Sequence, residues 1–110
     1  MKKNRSAQRQ YARLLRGLSQ LGYISQGSVQ DRTARKGGGA GYQWTRKVAQ
    51  KTVTVALTSK QFAKMKAATR NYRRLRQHLR KMELLSRRVI FETSPHPTRR
   101  KSLPRNVLGI

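Results

Sequence analysis

The chain has 110 residues, 27 Lys or Arg against 3 Asp or Glu, and a formal net charge of +24. With no cysteine it has no disulfide framework, thiolate metal site or cysteine nucleophile, and it has no apolar run long enough for a signal peptide or a membrane-spanning helix. We therefore expect a small basic protein with a thin core, a cytoplasmic location, no membrane partner and a polyanion as ligand.

The first predicted element is an amphipathic helix from about Arg5 to Leu21. Apolar side chains recur there at spacings of three and four residues, and arginines occupy the other faces. An Arg-rich, acid-free amphipathic segment is also typical of mitochondrial transit peptides, so that alternative stays open. Residues 25–40 follow as a basic, flexible loop with Arg35 and Lys36 before three glycines. The loop is either a plain connector or a backbone that approaches phosphate groups.

Alternating side chains then predict a β-hairpin over Tyr42–Val48 and Thr52–Leu57. Val53, Val55 and Leu57 are expected on one face with the aromatic residues, and the threonines on the other. A two-stranded hairpin alone is not stable in water. Its apolar face must therefore pack on a helix or on a third strand.

A long helix is predicted next, from about Ser59 to Val89. Thr58 and Gln61 have the spacing of a capping box, in which each side chain accepts a hydrogen bond from the backbone N–H of the other residue. No Gly or Pro interrupts the helix before Pro95. Apolar side chains at alternating steps of three and four residues, starting at Met65, form a heptad-like seam along it.

The remaining residues, 93–110, combine Pro with Arg and Lys and show no periodicity, so they predict a flexible tail. Residues 1–92 are predicted to form one small basic nucleic-acid-binding domain. The expected fold class is α+β, with an N-terminal amphipathic helix, a β-hairpin, one long basic helix and a flexible basic tail. The first helix and the hairpin are expected to pack near the N-terminal half of the long helix.

Catalytic chemistry finds little support in the sequence. The acids are limited to Asp31, Glu83 and Glu92, whereas a metal-dependent nuclease needs two or three carboxylates converging on a cation. His78 and His96 are not linked by spacing to a nucleophile or to an acid. We therefore predict a protein that is not an enzyme, with no catalytic residue, no metal site and no cofactor.

Cations along the long helix are the most informative feature. Eleven Lys or Arg and one acid, Glu83, lie between Lys60 and Arg88. Solvated faces usually mix both signs, whereas cations on successive turns match the phosphates of a nucleic acid. A calmodulin-binding or anionic-membrane helix would have a similar pattern. The cations predicted to contact nucleic acid are Arg35, Lys36, Arg46, Lys47, Lys66, Arg70, Arg73, Arg74, Arg80, Lys81, Arg87, Arg88, Arg99, Arg100 and Lys101.

Arginine outnumbers lysine, which favours bidentate phosphate contacts and stacking on bases, and hence RNA over DNA. In the hairpin, Tyr42 and Trp44 lie beside Arg46 and Lys47 and are candidates for stacking on unpaired bases. Aromatic residues that alternate with valines also suit the core of a small domain. Both interpretations of the two rings stay open.

The hairpin region also resembles a known family. The stretch Gly41–Val48, followed by Lys51-Thr52-Val53-Thr54 and by Leu57-Thr58-x-x-Gln61, is similar to short bacterial proteins of unknown function found near mobile elements. The similarity extends over about residues 12–85. In that family the loop before the tyrosine commonly carries a cysteine cluster of metal-binding type, where this chain has Arg35-Lys36 and three glycines. The resemblance therefore implies an organisation and no established reaction.

Together these features predict a noncatalytic nucleic-acid-binding protein, an RNA-binding component of a ribonucleoprotein. Its further partners would be other proteins of a ribonucleoprotein or of a mobile-element complex. One alternative is a DNA-binding accessory protein of a mobile element. A second alternative is an assembly protein whose heptad-like seam pairs with another chain.

Overall fold

Two compact units make up the fold. The computed structural model describes residues 5–33, 41–98 and 101–110. The sheet unit comprises Leu21–Arg74, and the helical unit combines Met1–Gln20 with Leu75–Ile110. The predicted division into residues 1–92 and 93–110 is a different partition and stays a prediction. The elements in chain order are α1 (Arg5–Leu18), β1 (Ser28–Asp31), β2 (Tyr42–Val48), β3 (Lys51–Leu57), α2 (Ser59–Thr93) and α3 (Arg105–Leu108).

A three-stranded antiparallel sheet in the order β1-β2-β3 forms the sheet unit together with the first turns of α2. The predicted α+β class and its hairpin are confirmed, with Tyr42 opposite Leu57 and Val48 opposite Lys51. Strand β1 lies inside the segment predicted to be a loop, and residues 34–40 of that segment lie outside the described residues. Pairing of Val29 with Trp44 gives the hairpin the third strand that it needs for stability.

Helix α2 begins with the predicted capping box, which is confirmed. The Thr58 N–H donates to Gln61 Oε1 at 2.9 Å, and the Gln61 N–H donates to the Thr58 hydroxyl at 3.1 Å. The Phe62 ring then lies 4.5 Å from the Tyr42 ring, centroid to centroid. Thr69, two turns further along, is buried. The capping box and the ring contact together fix the start of α2 against the sheet.

In the helical unit, α1 packs on the C-terminal half of α2. A cavity of about 290 Å³ is lined by Gln8 and Tyr11 of α1 and by Leu85 and Val89 of α2. The predicted packing of the first helix on the N-terminal half is therefore wrong. Local periodicity shows which face of a helix is apolar, but it does not show which distant segment covers that face.

The ends of the helices also differ from prediction. Helix α1 ends at Leu18, three residues before the predicted Leu21, and α2 continues to Thr93, four residues beyond the predicted Val89. Val89 itself is half-buried. Beyond it, Phe91 is half-buried whereas Ile90 is 55% exposed, so apolar cover continues on one side of α2 past the predicted end.

Part of the segment predicted to be a flexible tail forms a short helix. Residues Arg105–Leu108 form α3, and the Arg87 Nε of α2 donates a hydrogen bond of 2.8 Å to the main-chain oxygen of Gly109. Leu108 and Ile110 are half-buried. The predicted tail therefore ends in a segment anchored on α2 by an arginine and by apolar side chains.

Candidate nucleic-acid interface

Both units carry a large excess of positive charge. The sequence of the sheet unit has 12 Lys or Arg and one acid, Asp31. The sequence of the helical unit has 15 Lys or Arg and two acids, Glu83 and Glu92. An imbalance of this size attracts a polyanion to each unit before any specific contact forms.

Three predicted cations of the sheet unit, Lys66, Arg70 and Arg73, are exposed on neighbouring turns of α2, and we call them the α2 cation face. A rise of 1.5 Å per residue spreads them over about 10 Å of helix, over which one strand of a duplex presents about three phosphates. Among the described residues, no hydrogen bond or ion pair involves the side chain of Arg70 or Arg73. Their guanidinium groups are therefore available to phosphate oxygens.

Lys66 differs from the two arginines because it has local partners. Hydrogen bonds from the Thr33 hydroxyl and from its backbone N–H lower the pKa of Asp31, and the charge of Lys66 lowers it further. The Lys66 Nζ also lies 5.9 Å from the centroid of the Phe62 ring. Part of the Lys66 charge is thus balanced within the unit, which leaves Arg70 and Arg73 as the stronger phosphate candidates.

The predicted cations of the hairpin lie on opposite faces of the sheet. Arg46 is opposite Val53 and Lys47 is opposite Thr52, so the two side chains alternate across the pleat. The Arg46 guanidinium lies over the Trp44 ring, 5.0 Å from its centroid. Both cations are exposed, but their opposite directions prevent them from binding one phosphate together.

The two aromatic rings predicted to stack on bases are half-buried and have partners. Tyr42 contacts Phe62, and the Trp44 Nε1–H donates to the Gln26 main-chain oxygen at 3.0 Å. Base stacking by these two rings stays a prediction. Tyr23, which the sequence analysis does not single out, has a side chain that is far more exposed.

In the helical unit, cations from two helices line one cavity of about 340 Å³ together with leucines, and we call it the three-cation cavity. Its rim carries Arg13 of α1 with Lys81 and Arg88 of α2. The Arg88 Nε is buried and has no hydrogen-bond partner among the described residues. Three guanidinium or ammonium groups around one concave surface suit a phosphate group. The sequence predicted Lys81 and Arg88 but missed Arg13, whose role depends on where α1 packs.

Arg87, another predicted phosphate contact, is used within the helical unit. Its Nε binds the Gly109 oxygen, and its Nη1 lies 4.0 Å from Glu83 Oε2. This arrangement gives Arg87 a structural role in anchoring α3.

The other predicted cations are spread over both units. Arg80 and Lys101 are exposed in the helical unit, and Arg74 is exposed in the sheet unit but interacts with other groups of the protein. Arg35, Lys36, Arg99 and Arg100 lie outside the described residues.

The described residues, 5–33, 41–98 and 101–110, contain neither a metal site nor a membrane-spanning helix. No three His, Asp or Glu side chains in these ranges come together in a way that would hold a metal ion. No helix in the same ranges combines the length and the apolar character needed to cross a membrane. The chain matches no protein-family model, no curated protein and no solved structure. Its resemblance to the mobile-element family therefore stays a prediction.

Proposed function

We propose that the protein is a noncatalytic nucleic-acid-binding protein, an RNA-binding component of a cytoplasmic ribonucleoprotein. The observation that carries the proposal is the α2 cation face, where Arg70 and Arg73 are exposed in a unit that has 12 cations and one acid. A solvated helix face would mix charges of both signs. Repeated like charges destabilise a helix, and bound phosphates would relieve that repulsion.

Binding would rest mainly on phosphate contacts. Each phosphate neutralised by Lys or Arg releases condensed counterions, so affinity falls as salt rises. In the sheet unit the contacts come from the α2 cation face, and in the helical unit they come from the three-cation cavity. The guanidinium groups of Arg70 and Arg73 can each donate two parallel hydrogen bonds to one phosphate, whereas a lysine ammonium group cannot.

The assembly alternative receives less support. Ala68 and Met82 of the heptad-like seam are buried, and Met65 and Leu75 are half-buried, each within its own unit. Leu79 is the exposed member of this part of the seam. A seam covered in this way has little apolar surface left for a helix of another chain.

The double variant Arg70→Gln/Arg73→Gln tests the proposal. We expect weaker binding of single-stranded RNA and a slope of log K against log salt that is shallower by about 1.4, because two contacts at about 0.7 each are lost. Fluorescence anisotropy at a series of salt concentrations measures both quantities.

Lys51→Gln/Lys60→Gln is the matched control, since it removes the same charge from exposed positions of the same unit. This control should change the slope much less. Equal changes in the two double variants would contradict the proposal, because only the net charge would then matter.

A comparison of structured RNA, single-stranded RNA and duplex DNA at one fixed salt concentration separates the nucleic-acid alternatives. We expect the RNA ligands to bind more tightly. Tighter binding of duplex DNA would favour the accessory protein of a mobile element. A stable oligomer by light scattering after nuclease treatment would favour the assembly protein.

A further inference from the structure

The backbone around Tyr23 is fixed to α2 within the sheet unit. The Asn71 Nδ2 donates a hydrogen bond of 3.0 Å to the Tyr23 main-chain oxygen. The Ser25 N–H donates a hydrogen bond of 3.1 Å to the main-chain oxygen of Ala68. One bond is made by Tyr23 itself and the other by the residue two positions later, and together they hold the main chain from Tyr23 to Ser25 against the helix.

The side chain of Tyr23 is open to solvent, although its main chain is held. It is 92% exposed, and its neighbour Ile24 is 47% exposed. Both residues line a cavity of about 310 Å³ together with Leu57, Met65 and Lys64. A large ring displayed on a fixed main chain beside an apolar cavity has the character of a recognition surface, because Tyr combines an apolar body with a polar tip.

We infer that Tyr23 stacks on an unpaired base of bound RNA, at the mouth of this cavity. The inference rests on the proposed function and adds a second kind of contact to it. Bases of single-stranded nucleic acids bind aromatic side chains through their π-faces, and positive charge beside the ring follows the backbone. Lys64 supplies such a charge in the cavity lining.

Charge complementarity favours RNA over a protein as the occupant. The sheet unit carries 12 Lys or Arg and one acid, so it repels basic surfaces and attracts a polyanion. The two rings predicted to stack on bases have partners within the unit, whereas the Tyr23 ring is open to solvent. The structure therefore assigns base stacking to an aromatic residue that no sequence pattern marked.

Tyr23→Ala and Tyr23→Phe in the full chain test this inference. The probes are an unstructured RNA strand and a blunt RNA duplex of the same length, at one fixed salt concentration. We expect Tyr23→Ala to weaken binding of the strand by about 5- to 150-fold, the range for loss of one stacked base. Binding of the duplex should not change, and Tyr23→Phe should bind both probes as the wild type does. Circular dichroism verifies that each variant is folded.

The outcomes separate the inference from the proposed function. If the wild type binds neither probe, the proposed function fails and the inference fails with it. If the wild type binds both and Tyr23→Ala binds the strand equally well, the inference is overturned while the proposed function stands. An equal loss for strand and duplex also overturns it, because an unpaired base would not be needed.

Ultraviolet crosslinking of the wild-type protein to the same RNA strand gives a readout without a substitution. We expect a nucleotide attached to the peptide that contains Tyr23, because a stacked ring and base are in direct contact. Crosslinks confined to other peptides would overturn the inference.

Discussion

Leu85→Ala is expected to lower the free energy of unfolding by about 3 kcal/mol. Leu85 is 5% exposed and lines the cavities where α1 meets the C-terminal half of α2. Truncation removes buried apolar contacts and leaves a cavity, which typically costs about 2–5 kcal/mol for Leu to Ala. The effect should be severe, because a chain with a thin core has little stability to lose. Urea denaturation followed by circular dichroism measures it.

Leu79→Ala provides the matched control on the same helix. Leu79 is 43% exposed, so the same truncation should cost less than about 1 kcal/mol. If Leu85→Ala does not fold, Leu85→Met keeps the volume of the side chain and should cost less than about 1.5 kcal/mol. Equal losses at Leu79 and Leu85 would contradict the packing of α1 on this part of α2.

Gly27→Ala is expected to lower the free energy of unfolding by about 3 kcal/mol, through strain and a steric clash. Gly27 has φ of +109°, a conformation that residues with a side chain rarely adopt. A Cβ there would overlap the Trp44 Nε1 and lie 2.5 Å from the main-chain oxygen of Thr45. The substitution should also break the hydrogen bond between Trp44 and Gln26.

Gly41→Ala is the control that separates backbone strain from the steric clash. Gly41 has φ of +117°, but no atom of the described residues beyond its chain neighbours lies within 4 Å of the position that a Cβ would take. Its substitution should therefore show the backbone strain alone, about 1–2 kcal/mol. Urea denaturation gives both losses, and emission from Trp44, the single tryptophan of the chain, reports the change around the ring. Equal effects at Gly27 and Gly41 would rule out the close approach of Trp44.

Elements with strong local signals could be predicted from the sequence. The capping box of Thr58 and Gln61 marked the first residue of α2, because both hydrogen bonds lie within four residues of chain. Alternation in Tyr42–Val48 marked β2 in the same way. Strand β1 has one apolar side chain, Val29, in four residues, so the alternation of apolar and polar residues is too short to predict a strand there.

The hairpin turn shows a different limit. Ala49 and Gln50 both have positive φ, as a two-residue type I′ turn requires. Asn and Gly are the residues that usually adopt this turn, and neither is present. The alternation of the flanking strands predicted the hairpin, although the turn residues themselves gave no signal.

The candidate site residues also differ in whether local sequence or long-range contacts determine their positions. Arg70 and Arg73 could be predicted, because helical spacing alone places them on neighbouring turns. Arg13 joins Lys81 and Arg88 only when α1 packs on α2, and the main chain at Tyr23 and Ser25 is held in place by Asn71 and Ala68 of α2. Both depend on contacts between residues far apart in the sequence.

Binding of single-stranded RNA by the wild-type protein over a range of salt concentrations tests the proposed function most directly. Arg70 and Arg73 in one unit and the three-cation cavity in the other offer several phosphate contacts. Four or more contacts predict a linear fall of log K against log salt with a slope of about −3 or steeper. A slope near zero, or no binding at low salt, would contradict the proposal that these cations bind a nucleic-acid backbone.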